Sequence, residues 1–242
     1  MRALLAPDIL RIWETGRDQP PLERALSLLL AAEPETRRED LAALTIGRRD
    51  ALLLALRRRV FGETVQAYAE CPQCGGRLEL HFPAVSIQTA AETVPETLEL
   101  RVDAITVRLR FPTSVDLAEA NGHDEIAVAH AALMERCVEA RVNDEPIKAG
   151  DLPAAVIEQI ECCMAEAEPG AEIWLDLRCP FCEHGWQALF DIAAFFWREI
   201  SVCARRLLHE VNALARAYGW SEAEILGLSP IRRQAYLELV GA

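Results

Sequence analysis

Two short runs in this 242-residue chain carry residue types suited to one kind of chemistry: Cys71-Pro72-Gln73-Cys74-Gly75-Gly76 and Cys179-Pro180-Phe181-Cys182-Glu183-His184-Gly185. Each places two thiols at a two-residue spacing in a proline-containing turn. Glycine follows, and it tolerates the positive φ that lets backbone N–H groups face the sulfurs. One such turn supplies two adjacent corners of a tetrahedron; two supply all four, the ligand set of a closed structural zinc site. A lone Cys-x-x-Cys would say little. Its repetition, each time between strand-like segments, points to Zn²⁺ ligation by Cys71, Cys74, Cys179 and Cys182. Residues 75–178 separate the halves, which predicts a zinc ribbon with a domain-sized insertion between its knuckles.

Cys-Pro-x-Cys also occurs in disulfide oxidoreductases, but there the dithiol sits at a helix N-terminus, where the dipole lowers a thiol pKa. Both motifs here run into glycine and then an alternating segment, which disfavours redox work. Four thiolates leave the ion no open coordination position, so it is expected to be structural. Its work would be to pin positions 71 and 182 and close the long loop between them. His81 and His184 fall outside the two-residue spacing and are expected around the ligands or at the surface.

The elements that hold these turns follow from periodicity. Residues 64–68 lead into the first knuckle and 77–82 lead out with strict alternation; 173–178 and 186–190 repeat the pattern around the second. Upstream, helices are predicted at about 8–16 and 22–32, and from about 45 to 61. The third has Leu52, Leu53, Leu56 and Val60 as its buried stripe and Arg57, Arg58 and Arg59 as a solvated last turn, where cations suit the helix dipole. Between the knuckles, 83–95 reads as a polar linker and 98–102 with 105–111 as a hairpin about Asp103-Ala104. Helices are expected at 114–120, 124–142 and 152–167, with 143–146 turning between the last two.

The final third is helical. Asp191 caps a long helix with a stripe at Ile192, Phe195, Phe196, Ile200, Cys203, Leu207, Val211, Leu214 and Tyr218. Ser221-Glu222-Ala223-Glu224 is a capping box, and Ser229-Pro230 opens a last helix. The predicted class is α+β, mostly helical: a four-cysteine zinc ribbon with a long α+β insertion between its two knuckles and a helical C-terminal region. The expected parts are an N-terminal helical region (1–62), the split ribbon (63–82 plus 171–190), the inserted subdomain (83–170) and a C-terminal helical region (191–242).

A hydrophobic fraction of 51% with 26% charged residues is an ordinary globular balance. A net charge of −13 repels polyanions, which disfavours a nucleic-acid partner and leaves Arg57-Arg58-Arg59 as the obvious basic cluster. No run approaches the ~20 apolar residues of a membrane span. The N-terminus does not read as a signal peptide, so eight cysteines favour metal binding and buried thiols over disulfides, and the cytoplasm as compartment. Cys137, Cys162, Cys163 and Cys203 fall in helical segments and are expected to be small buried hydrophobes. No phosphate loop, nucleophile elbow or zinc-protease motif is present. Asp103, Asp116, His123, Asp124 and His130 have no spacing that separates them from surface residues, so neither an active site nor a small-molecule substrate is expected. Phe195, Phe196 and Trp197 are consecutive, so one helix cannot bury all three equally, and Trp197 is a candidate partner contact.

The block Ala215-Arg216-Ala217-Tyr218-Gly219-Trp220-Ser221-Glu222-Ala223-Glu224-Ile225-Leu226, with Arg232-Arg233-Gln234-Ala235-Tyr236-Leu237, resembles the baseplate hub proteins of T-even-type phages, often described as baseplate hub assembly chaperones. Asp50-Ala51-Leu52-Leu53-Leu54-Ala55-Leu56 together with the first knuckle resembles longer zinc-knuckle members encoded with contractile phage tails and extracellular contractile injection systems. The likeness runs from about residue 45 to the end, strongest over the last fifty residues and weakest in 1–44 and 83–170. It implies a cytoplasmic assembly role without catalytic residues, binding a hub or baseplate component. Together with the cysteine motifs this gives a non-enzymatic, zinc-stabilised protein that assists assembly of the baseplate hub, with hub or spike proteins as partners and Trp197, Trp220 and Tyr236 as candidate contacts. Whether the chain stays in the finished particle is left open. The alternative is a zinc-ribbon adaptor or nucleic-acid-associated regulator.

Overall fold

The computed structural model describes residues 1–88 and 94–241. The chain forms two compact units, Met1–Pro34 with Ala193–Ala242, and Glu35–Ile192. The mixture is α+β, 54% helical.

The first unit begins with α1 (Ala6–Gly16) and α2 (Pro21–Ala32). Asp8 accepts from the Leu5 N–H at 3.1 Å, ties down the first turn of α1 and holds Arg2 and Arg11. Proline in the first turn of both helices sits where its missing N–H costs no intrahelical bond. Ile9, Leu10 and Ile12 of α1 and Ala25, Leu26, Leu28 and Leu29 of α2 are buried, at helical spacing.

The second unit starts with a five-residue helix, α3 (Arg38–Ala42), too short to carry a periodic signature. It continues with α4 (Ile46–Phe61), whose core face is Leu53, Leu54 and Leu56. The arginine run at its end is not the solvated cap expected. Arg57 is 2% exposed and donates to the Gly62 and Thr64 carbonyls at 2.8 Å each, tying the helix end to the strand that follows. Arg58 holds Glu63 and Gln88. At its other end, Glu168 is buried and accepts from the Thr45 hydroxyl, so a carboxylate far along the chain sits at the first turn of α4; burial raises its pKa, opposed by Thr45 and by the nearby Gly47 and Arg48 N–H groups. That approach requires Gly47, because a Cβ there would stand 2.7 Å from Glu168 Cγ.

Strands β1 (Thr64–Glu70) and β2 (Arg77–Pro83) form the first two-stranded antiparallel sheet, followed by a 3-10 turn at Ala84–Ile87. That turn replaces the start of the expected 83–95 linker, of which residues 89–93 lie outside the described residues. Strands β3 (Thr97–Val102) and β4 (Ile105–Arg110) pair about Asp103, which takes a φ of +52°. Then come α5 (Ser114–Ala120) and α6 (Ile126–Cys137).

Here the expected helix over 124–142 is corrected. Val138–Val142 is a strand, β5, paired to β4, and it turns at Asn143-Asp144 into β6 (Glu145–Ile147). Asn143 and Asp144 both have positive φ, as a two-residue hairpin loop demands, so 143–146 joins two strands, not two helices. The four-stranded sheet packs Val107, Leu109, Val138 and Ala140 against Met134 of α6 and Val156 and Ile160 of α7 (Ala154–Ala167).

Asp116, which its spacing did not distinguish from a surface residue, is 1% exposed. It accepts from Arg110 at 2.7 and 2.8 Å, from Arg136 at 2.8 Å and from both the N–H and hydroxyl of Thr113, whose side chain caps α5. Burial alone would raise this carboxyl's pKa. The two guanidinium groups and the Thr113 donors outweigh it and hold Asp116 well below the usual carboxylate range.

The unit closes with β7 (Trp174–Arg178) and β8 (Gly185–Leu189), a second two-stranded sheet. The chain then returns to the first unit along α8 (Ile192–Tyr218), where Phe195, Phe196, Ile200, Leu207 and Leu214 are buried as the stripe predicts. Helix α9 (Glu222–Gly227) carries the expected capping box between Ser221 and Glu224. Helix α10 (Pro230–Val240) is tied to α8 by Arg233, 4% exposed, donating to Glu210 at 2.6 Å.

Candidate metal centre

The two knuckles are the tips of the β1–β2 and β7–β8 hairpins and fold alike. Cys71 N–H donates to the Gly76 carbonyl at 2.9 Å and Gly75 N–H to the Cys71 carbonyl at 2.9 Å. In the second, Cys179 N–H donates to His184 at 2.8 Å and Glu183 N–H to Cys179 at 3.0 Å. The residue after the second cysteine is left-handed in both, Gly75 at φ +69° and Glu183 at φ +59°. The glycine expectation therefore holds for the first knuckle only; in the second, a glutamate takes the conformation that glycine adopts more cheaply.

The four sulfurs lie within 4.8 Å of one another, with Cys71–Cys182 and Cys74–Cys179 each 3.6 Å apart across the two knuckles. Sulfurs bonded to zinc at about 2.3 Å at tetrahedral corners would stand about 3.8 Å apart, so the donor set fits that ion. These distances are far beyond a disulfide bond, and all four cysteines are free. In both knuckles the leading cysteine, 71 or 179, is buried and the trailing one, 74 or 182, is more open. Leu78, Leu80 and Trp186 pack around the cluster. Phe181 is 70% exposed, yet its ring lies where a Cβ on Gly76 would come within 2.6 Å.

Backbone N–H groups point at the sulfurs as a thiolate cluster requires. Phe181 N–H reaches Cys179 Sγ at 3.4 Å, while Gly76 and His184 serve Cys74 and Cys182. Burial opposes ionisation of Cys179, but the Cys182 and Phe181 N–H groups and the neighbouring thiols bring its pKa down to about 7. At Cys182 the His184 N–H favours the thiolate; burial and the other three cysteines outweigh it and push the group up to about 12. Neither motif opens a helix, so the arrangement that activates a redox dithiol is missing. His184 stacks on Trp186 at 6.1 Å and His81 lies 3.8 Å from Glu79; neither joins the sulfur cluster. Arg178 is directed to exposed Glu183 at 3.8 Å.

Of the other cysteines, Cys137 is buried and Cys163 and Cys203 are half-buried, but Cys162 is exposed, contrary to its expected place in a core. Trp197, half-buried, spreads its ring over Gly16 and under the Arg24 guanidinium, 4.9 Å from the ring centre. Arg24 in turn donates to the Gly16 and Arg17 carbonyls at the end of α1. Trp220 stacks on Tyr218 at 4.7 Å and meets Tyr236 edge-on at 4.8 Å, bracing the α8–α9 corner against α10. All three candidate contacts therefore already pack inside their own unit, Trp197 against Gly16 and Arg24, and Trp220 and Tyr236 against each other and Tyr218. Trp174, not among the expected contacts, is 52% exposed on β7, a place that the alternation beside the second knuckle signals.

Among the described residues no helix is long and apolar enough to cross a membrane. No curated protein and no solved structure matches the chain. A family model described as T4 bacteriophage base plate protein matches residues 8–197. The match takes in residues 8–44 and 83–170, where the likeness read from the sequence is weakest, and leaves out the C-terminal block that carried it most strongly. Because that stretch spans most of the chain and both knuckles, the protein belongs to the T4 bacteriophage base plate protein family.

Proposed function

We propose that Cys71, Cys74, Cys179 and Cys182 hold one structural Zn²⁺ as a split zinc ribbon, and that the chain assists assembly of the baseplate hub of a contractile phage tail or injection system without doing catalysis. The observation that carries the reading is the meeting of four sulfurs, two from each end of the 71–182 stretch, inside a chain of a baseplate family. An ion held by four thiolates has no position for a substrate or water, so its contribution is to clamp the hairpins and fix the unit between them. A rigid surface of that kind suits recognition of hub or spike components while the tail is built in the cytoplasm of the producing cell. Trp197, Trp220 and Tyr236 act in this reading through the faces their internal partners leave open. The test is recovery of tagged chain from cells expressing a complete tail operon. Stoichiometric hub or spike protein supports the proposal; assembled tails with neither bound to the chain at any stage overturn it.

A further inference from the structure

A groove of about 520 Å³ runs between β2 and β7 in the second unit. Leu80 and Phe82, on one face of β2, form one wall, and five consecutive residues, Ile173–Leu177, form the other. Successive side chains of a strand point to opposite faces, so five in a row can line one cavity only along the strand's edge. The ladder says which edge. The Ile173 carbonyl accepts from Phe190 N–H and Cys179 N–H donates to His184, so the odd positions between them pair with β8. The N–H and C=O groups of Trp174 and Asp176 face the other way, and among the described residues no third strand meets them. Beside this open edge the lining is largely apolar and its ionic groups are carboxylates, Glu172 and Asp176, with no lysine or arginine among the described lining residues. Both carboxylates are exposed and hydrogen-bonded to neutral donors, Trp174 Nε1 and Gln187 Nε2.

We infer that this groove binds an extended segment of a partner baseplate protein, in which apolar residues alternate with lysine or arginine, by adding a strand to the β7 edge. An extended segment satisfies the unpaired backbone groups of Trp174 and Asp176. Its apolar side chains enter against Leu80, Phe82 and Leu175, and its cations meet Glu172 and Asp176. The nature of the partner rests on the assembly role proposed above; the groove itself does not.

The probe is a fluorescent seven-residue peptide of alternating valine and lysine, titrated by anisotropy into the zinc-loaded full chain at low salt. The lysine peptide is expected to bind, a valine–glutamate counterpart to bind at least tenfold more weakly, and N-methylation at alternate residues in one register to abolish binding while the other register is tolerated. Glu172→Lys with Asp176→Lys, both at exposed positions, should weaken the lysine peptide at least tenfold, and the Trp174 and Asp176 amide resonances should shift on titration. No binding at millimolar peptide, equal binding of the two charge types, equal effect of both methylation registers, or unshifted amides would each overturn the inference. Because the assay uses isolated chain, its failure leaves the assembly role standing, and failure to recover hub proteins leaves the groove standing.

Discussion

Removing the clamp should loosen the two hairpins by a predictable amount. Cys71 and Cys182 are 111 positions apart, and cross-linking a loop of that size withdraws about 5 kcal/mol of chain entropy from the unfolded state in the disulfide loop-closure model. Cys179→Ser removes a buried ligand without changing the hairpin turns, and a chelator does the same to the intact chain. Hydrogen exchange of the β1, β2, β7 and β8 amides is the suitable assay, because three of the five tryptophans (Trp13, Trp197 and Trp220) lie in the first unit and would mix its unfolding into any fluorescence signal. If the ion provides the closure, exchange through cooperative opening should quicken by three to four powers of ten in both hairpins together, with α1 and α2 little affected. A change of less than tenfold, or a change at one hairpin only, would show that packing around Leu78 and Trp186 holds the knuckles together without metal, and the clamp reasoning would fail.

Asp116→Asn should destabilise the second unit by about 3 kcal/mol, since it leaves two arginines facing a neutral group in a largely buried site. Because the folded-state pKa of Asp116 is depressed, that contribution is complete above the ordinary carboxylate pKa and is lost as pH falls from about 4 toward the folded value. Urea titrations of the two proteins should therefore show a gap at pH 6 that narrows steadily as pH falls from about 4 toward 2; a constant gap would contradict the assignment. Gly76→Ala should weaken metal retention, because its Cβ would meet the Phe181 ring at 2.6 Å and Cys74 Sγ at 3.2 Å; competition with a chromogenic chelator measures it, and adding Phe181→Ala should restore part of the loss. Glu183→Gly should raise the thermal midpoint slightly, relieving a left-handed residue at φ +59°; a lowered midpoint would mean that the glutamate side chain matters more than its backbone.

What could be read from the sequence was local. The knuckles and their flanking strands were legible because cysteine spacing and alternation are short-range signals, and α8 because its apolar stripe persists over seven turns. Strand β5 was missed because Val138-Glu139-Ala140-Arg141-Val142 continues a helical run without a breaker, and only pairing with β4, nearly thirty residues earlier, decides it. Arg57 and Asp116 were read as solvated for the same reason. A buried charge is recognisable only from its partners, and those are carbonyls at 62 and 64 for one and guanidinium groups at 110 and 136 for the other. Helix α3 was too short to show a period, and the Glu168 contact at the start of α4 joins residues more than a hundred apart. The groove depends on two hairpins lying side by side, which no local pattern encodes.

The central claim is that one ion joins the distant cysteine pairs, and zinc X-ray absorption on chain purified from zinc-replete cells, with metal content measured on the same sample, tests it most directly. The account predicts one zinc per chain in a shell of four sulfurs at about 2.3 Å. Sub-stoichiometric zinc, nitrogen or oxygen in the shell, or a Cys71–Cys182 or Cys74–Cys179 disulfide in its place would contradict it.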